Sequence, residues 1–227
     1  VPEGCGCARR GWVRAAVIGC GTDAGCVRVL DRPGGGGLAD VPAISLEDGA
    51  PKYRRPLAPP ADLEQRRQRS ANSLPAPGDI AADLSEMLCD SSWVWRQYDH
   101  QLYLNTVSGP GGDATVLRLK HPSTGIDTGR GLALTTDGNH RWCAVDPRLG
   151  AMATVAESVM NLATAGAYPA ALVNCLNFGN PEHPEVMWQL SEAVDGISEA
   201  CVAFGIPVIG GNVSLYNESR GTDIDPT

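Results

Sequence analysis

LVNCLNFGNPEHPEVMWQLSEAVDGISEACVAFGIPVIGGNVSLYNE, residues 172–218, reads as a short strand, a turn, a long amphipathic helix and a second strand broken by a double glycine. Val186, Met187, Leu190, Val194, Ile197, Cys201 and Phe204 recur at spacings of three and four, which sets them on one helix face. Pro184 suits the first helical position, Glu185 the positive N-terminal end, and Gly205 a left-handed stop. The flanking strands therefore end in two small polar clusters, residues 174–180 and 210–214. Each joins an apolar strand to glycine and amide or hydroxyl side chains, a chemistry suited to phosphate and a hard cation. Neither cluster contains a basic side chain.

Residues 210–214 (GGNVS) are the sharper cluster. Two glycines let a phosphate approach the backbone N–H groups. Asn212 offers a neutral oxygen for magnesium, and Ser214 a hydroxyl that donates or accepts. The same residues also read as a bulge or turn at a strand end capped by Asn, and motif chemistry alone leaves both readings open. The cluster is not a P-loop, because no Gly-Lys-Ser/Thr follows, and no GxGxxG opens a helix.

Upstream, Met152, Val155, Val159 and Leu162 define a second amphipathic helix ended by Gly166, and Pro169 opens a strand over 170–176 that carries Asn174. Glu157 and Asn161 lie one turn apart on that helix, as surface pairs commonly do. Residues 114–119, 131–136 and 142–145 read as short strands, with Asp137-Gly138-Asn139 closing a hairpin. Asp137 also suits a metal carboxylate, and His140 reads as an exposed turn residue. Strands, helix, strand, helix, strand make an α+β sandwich with helices on one face of a mixed sheet.

Asp79 caps a helix through about Leu88, with Ile80, Leu84, Met87 and Leu88 facing inward. Trp93, Trp95 and Tyr98 beside Arg96 and His100 suit core packing better than base stacking. Residues 51–77 read as a linker, with six prolines and the run Arg66-Arg67-Gln68-Arg69 on a solvated face. Residues 13–19 look like a strand with 26–30 as hairpin partner, and 34–37 is a glycine turn. Residues 1–11 show no clear periodicity.

The 227-residue chain is 43% hydrophobic, enough for a real core. No Met opens it, and it reads as an internal piece of a longer protein. Residues 76–227 hold 7 basic against 18 acidic side chains, which argues against a nucleic-acid footprint. No apolar run reaches the length of a membrane span. The eight cysteines form no CxxC pair and read as reduced thiols of a cytosolic protein, although Cys5, Cys7, Cys20 and Cys26 could form a metal module.

The runs DGN (137–139), DP (146–147), CLNFGNPE (175–182) and GNVSLYNE (211–218) resemble phosphoribosylformylglycinamidine synthase, in particular the synthetase subunit of the small bacterial type. The resemblance is strong over 92–227 and weaker, but in register, over 13–60. It implies an aminoimidazole ribonucleotide synthetase-like sandwich over 78–227, the N-terminal-type ATP-binding domain of the second half. Before it come a linker, 51–77, and the tail of another α+β domain, 1–50, shorter than the family pattern because most of the helix before the 13–19 strand is missing.

The activity implied is cytoplasmic de novo purine synthesis. ATP phosphorylates the formamide oxygen of formylglycinamide ribonucleotide, and ammonia from a glutaminase subunit displaces phosphate to form the amidine. A small bridging subunit completes the complex. Neither nucleic acid nor membrane is implied as a partner. Residue by residue, the pattern implies that Asn174 and Gly211 contact ATP, Asn212 ligates Mg²⁺ and Ser214 contacts substrate. Asn174 stands where many relatives show Asp, which loses a charge and keeps an acceptor. The family's general-base His, its ATP-binding Lys and its acidic metal ligands belong to a first ATP-binding domain outside this sequence, so no catalytic residue is implied here. A second possibility within the family is a non-catalytic scaffold half that holds a structural nucleotide.

Overall fold

The computed structural model describes residues 16–46, 48–68, 70–88 and 90–227. The chain divides into two compact units after Arg54. In the first, β1 (Cys26–Leu30) pairs antiparallel with β2 (Gly37–Pro42), followed by a 3-10 turn over Ala43–Leu46. The expected partner of 26–30 was instead the segment 13–19. Residues 13–15 lie outside the described residues, and 16–19 form no strand. The glycine run decides the pairing, because it reverses the chain immediately after β1. Asp31 N–H bonds Gly36 O at 3.1 Å, and Arg28 meets Asp40 across the ladder at 2.7 Å. Cys20 is exposed and Cys26 half-buried, whereas Cys5 and Cys7 of the suggested metal module lie outside the described residues.

The second unit opens with part of the expected linker packed down. The short helix α1 (Leu63–Arg67) buries Leu63, and Ala58 N–H bonds Pro184 O at 3.2 Å. Arg66 pairs with Asp62, and Arg67 bridges Glu64 and Asp146, on a face that stays largely exposed. Arg69 lies outside the described residues. α2 (Ile80–Met87) starts as expected, with the Asp79 carboxylate accepting from the Ala81 and Ala82 N–H groups. Its apolar residues do not face inward: Ile80, Leu84, Met87 and Leu88 are all exposed. Periodicity identifies an apolar face without supplying what covers it. α3 (Ser92–Trp95) likewise leaves Trp93 and Tyr98 exposed, in contrast to the expected core packing. Trp95 meets His100 edge to face, and Arg96 lies over its ring.

β3 (Thr106–Ser108), β4 (Thr115–Lys120) and β5 (Asp127–Leu134) form an antiparallel sheet. α4 (His140–Val145) replaces the expected strand at 142–145. The Asn139 side chain accepts from Trp142 N–H, so residues 137–139 lead into a helix instead of closing a hairpin. α5 (Pro147–Thr164) is capped by Asp146, and α6 (Pro184–Phe204) ends at Gly205 in the left-handed conformation, the latter in line with the sequence. β6 (Leu172–Asn177) and β7 (Val208–Ser214) form a separate parallel pair, and β8 (Glu218–Ser219) and β9 (Thr222–Asp223) a small hairpin. The mixed strand content is thus divided between separate ladders in an α+β fold.

The core lies where α5 and α6 cover β6. Val155, Ala200 and Cys201 form one cluster, packed by Met152, Leu172 and Ile197. Ala151, Phe178, Val186 and Ala193 form another, packed by Leu176, Leu190 and Leu215. The buried residues of α6 are Val186, Gln189, Ala193, Gly196, Ala200 and Cys201, with Leu190 and Ile197 packed against the core, whereas Val194 and Phe204 are exposed. The core-facing side thus includes much of the large-residue face and extends to Ala193, Gly196 and Ala200, small residues that admit a close helix neighbour. Among the described residues no helix is long and apolar enough to cross a membrane.

Candidate functional site

The register of β6 against β7 decides which polar side chains meet. Asn174 pairs with Gly211, Cys175 with Asn212, Leu176 with Val213 and Asn177 with Ser214. The two polar clusters, separated in sequence by the whole of α6, therefore lie side by side at the carboxyl ends of two parallel strands. Ligands of open parallel sheets bind at that edge. Leu172 and Leu176 pack on the helix layer, and side chains alternate along a strand. Asn174 is thus on the helix-facing side with Gly211, while Asn212 and Ser214 share the other side with Cys175 and Asn177.

Gly211 has a structural reason beyond room for a phosphate. A Cβ there would strike the Asn174 side-chain oxygen and come within 2.6 Å of the Asn174 carbonyl oxygen. Any side chain at 211 would therefore displace Asn174. Asn212 is exposed, and Ser214 and Asn174 are half-buried.

Beyond β7 the chain folds back and clamps the turn that follows β6. Tyr216 N–H donates to Gly179 O at 2.8 Å, and Phe178 N–H to Ser214 O at 3.0 Å. The Asn217 amide nitrogen donates to Phe178 O at 2.9 Å and Ser214 O at 3.0 Å. The Asp223 carboxylate accepts from Asn180 N–H at 2.6 Å and meets His183 Nδ1 at 2.7 Å. Asn177 exchanges backbone bonds with Thr227. An open groove of about 770 Å³ runs beside the clamp, lined in part by His140, Asn177, Tyr216, Asn217 and Glu218.

Residues 111–227 match the family described as AIR synthase related protein, N-terminal domain, which is just over half of the chain. The chain belongs to the AIR synthase related family. Similarity to phosphoribosylformylglycinamidine synthase subunit PurL reaches further. It is 46% identical to that subunit of Moorella thermoacetica over 96% of this chain and 30% of the relative. For the Anaeromyxobacter dehalogenans subunit it is 48%, over 93% and 28%. The chain thus spans about 30% of the length of these curated relatives.

Solved structures agree. The structure of PurLQS from Thermotoga maritima superposes with a TM-score of 0.62 at 28% identity, over 84% of this chain and 28% of that one. Thermotoga maritima PurL complexed with ATP gives 0.60 at 29%, over 89% and 30%. The same protein complexed with FGAR gives 0.61 at 28%, over 89% and 29%.

Within this AIR synthase related domain, Asp137 neither closes a hairpin nor stands free. Thr135 and Ser158 donate hydroxyls to it at 2.8 Å and Asn161 its amide at 2.7 Å, which ties the end of β5 to α5. Asn161, read from sequence as one of a surface pair, is therefore a half-buried tether. His140 is exposed at the start of α4. Asn217, Asp223 and His183 carried no role in the sequence reading. Asn217 stands in the matched run at 211–218, whereas Asp223 reaches its partners from about forty residues away with no local signal.

Hydrogen bonding to Asp223, aided by the nearby Glu218 and Glu185 carboxylates, raises His183 above the ordinary 6.5. A raised histidine stabilises the fold fully below 6.5, and that contribution is lost as pH rises through the raised value. The melting temperature is therefore expected to fall as pH rises through that window. His183→Gln should flatten this component in melts between about pH 5.5 and 8.5, the range in which such a histidine titrates. An unchanged profile in that variant would remove the pair from the account.

Proposed function

We propose that this chain contributes one nucleotide-binding half to an ATP-dependent phosphoribosylformylglycinamidine synthase of purine biosynthesis. The enzyme converts formylglycinamide ribonucleotide, ammonia released from glutamine, and ATP to the amidine in the cytoplasm. The observation that carries the reading is the β6–β7 register, which sets Asn174 against Gly211 and aligns Asn212 and Ser214 on one strand face. It is supported by relatives named for the synthase and by neighbours solved with ATP and with FGAR.

In this reading Asn174 and the backbone at Gly211 contact ATP, and Ser214 contacts substrate. Catalysis of phosphoryl transfer is mostly positioning and charge stabilisation, which suits a site of amides, a hydroxyl and backbone. Asn212 would ligate magnesium. Among the described residues no group of three or more His, Cys, Asp or Glu converges. Magnesium commonly keeps waters and takes few protein ligands beside substrate phosphates. The exposed Asn212 oxygen fits one position in such a shell, with carboxylates from other segments completing it. When bound, the ion would offset phosphate charge. A glutaminase subunit and a small bridging subunit are the partners proposed, in keeping with the PurLQS complex of the Thermotoga maritima neighbour.

The test compares the full-length protein with residues 1–227, using ATP, formylglycinamide ribonucleotide and ammonia. The full-length protein is expected to form the amidine with ATP consumed, and residues 1–227 alone to form none. The reading fails if the full-length protein forms no amidine. The assignment of this chain as one dependent half fails if residues 1–227 match the full-length rate.

A further inference from the structure

We propose that Asn217 is a positioning residue that sets the direction of the Ser214 hydroxyl, keeping its proton available for an anionic or carbonyl oxygen of the substrate. The inference rests on the reading of Ser214 as the substrate-binding residue. Asn217 reaches Ser214 from the turn after β7. Its Nδ2 lies 3.2 Å from Ser214 Oγ, 2.9 Å from Phe178 O and 3.0 Å from Ser214 O. Ser214 Oγ in turn donates to Asn217 Oδ1, at a longer 3.4 Å.

A serine hydroxyl has one proton to donate and two lone pairs to accept with. Asn217 Nδ2 has two protons for its three acceptors, so the proton given to Ser214 O is shared with Ser214 Oγ. A hydroxyl that accepts in this way has used a lone pair and not its proton. Its O–H, held only by the long 3.4 Å bond to Oδ1, can turn to an acceptor on the open strand side, where Ser214 stands beside Asn177. The same Asn217 amide joins the last residue of β7 to Phe178, which fixes the distance between the two polar clusters. Both carbonyls it bonds also have backbone donors: Phe178 O accepts from Asn217 N–H at 3.2 Å, and Ser214 O from Phe178 N–H at 3.0 Å. Loss of the side chain therefore leaves neither carbonyl without a donor.

Asn217→Asp is the informative change. It keeps size and shape but replaces the amide donor with an acceptor, so the Ser214 proton turns toward the carboxylate and away from substrate. In the full-length protein, KM for formylglycinamide ribonucleotide should rise about tenfold, the order of one lost hydrogen bond to a polar or charged group. The kcat should change little. In a Ser214→Ala background the same substitution should change KM less than about twofold, because the hydroxyl it acts through is gone.

If Ser214→Ala alone leaves KM unchanged, the substrate-binding reading of Ser214 fails and takes this proposal with it. If Ser214→Ala raises KM but Asn217→Asp does not, or Asn217→Asp acts equally in both backgrounds, the positioning role is overturned and the underlying reading survives. Should Asn217→Asp not fold, Asn217→Ala carries the same cycle. Failure of both to fold assigns Asn217 to the fold alone and overturns the proposal.

Discussion

Asn212→Leu in the full-length protein is expected to lose ATP-dependent turnover by roughly 100-fold or more, the scale on which removal of one preorganised charge-stabilising group acts. Leucine keeps similar bulk, and position 212 is exposed on β7, so the strand tolerates the change. Exposed substitutions commonly alter stability by less than about 0.5 kcal/mol. What disappears is the hard oxygen. Opposite it in the ladder stands Cys175, a thiol that does not replace an amide oxygen toward magnesium. The magnesium concentration needed for half-maximal rate should therefore rise together with the loss of rate. A scaffold half that only holds a nucleotide predicts another pattern, a lower melting temperature with the rate per folded molecule intact. Steady-state kinetics beside melting curves separates the two. A stable and fully active Asn212→Leu enzyme would refute the metal assignment.

The parts legible in the sequence are those whose signals are local. Pro184 and Gly205 bracket α6, and Asp79 accepts the N–H groups that α2 leaves unpaired at its start. Where a short apolar run fits two structures, the neighbouring cap decides. Residues 142–145 look like a strand, yet the Asn139 oxygen on Trp142 N–H begins a helix. On α6 the search for large apolar residues found Val186, Leu190, Ile197 and Cys201 but not Ala193, Gly196 and Ala200, small residues buried where the Arg148 backbone comes close to Gly196.

The site divides in the same way. The chemistry of Asn174, Gly211, Asn212 and Ser214 is visible in two short motifs, whereas their juxtaposition depends on a strand register spanning α6. Asp223 binds Asn180 and His183 from a distant hairpin, and nothing in its neighbours marks it. Likewise β1 finds its partner through the glycine turn after it, a competition that strand propensity does not resolve.

Gly196→Ala is expected to destabilise the protein, against the sign that helix propensity gives. In an exposed helix interior this change stabilises by about 1 kcal/mol. At Gly196, however, the added Cβ would strike the Arg148 carbonyl oxygen and lie 3.0 Å from its carbonyl carbon and 3.1 Å from its Cα. These are backbone atoms in the first turn of α5, so no side-chain rotation relieves the contact and the helices must separate. Separation loosens Ala151 and Val155 of α5 from Ala193 and Ala200 of α6, the residues that close the core over β6.

It also moves the Arg148 guanidinium, which bridges Glu192, Asp195 and Glu199 on α6. That network is largely solvent-exposed, so the packing term dominates. Overpacking of this kind costs about 1–3 kcal/mol, and the upper end fits a contact with backbone. For a chain of this length that corresponds to a melting temperature lower by roughly 6–12 °C. Gly210→Ala is the control, because a Cβ there meets nothing within 4 Å and the same loss of chain flexibility acts without a clash. A melting temperature for Gly196→Ala equal to or above that of the parent would refute the close approach of α5 and α6.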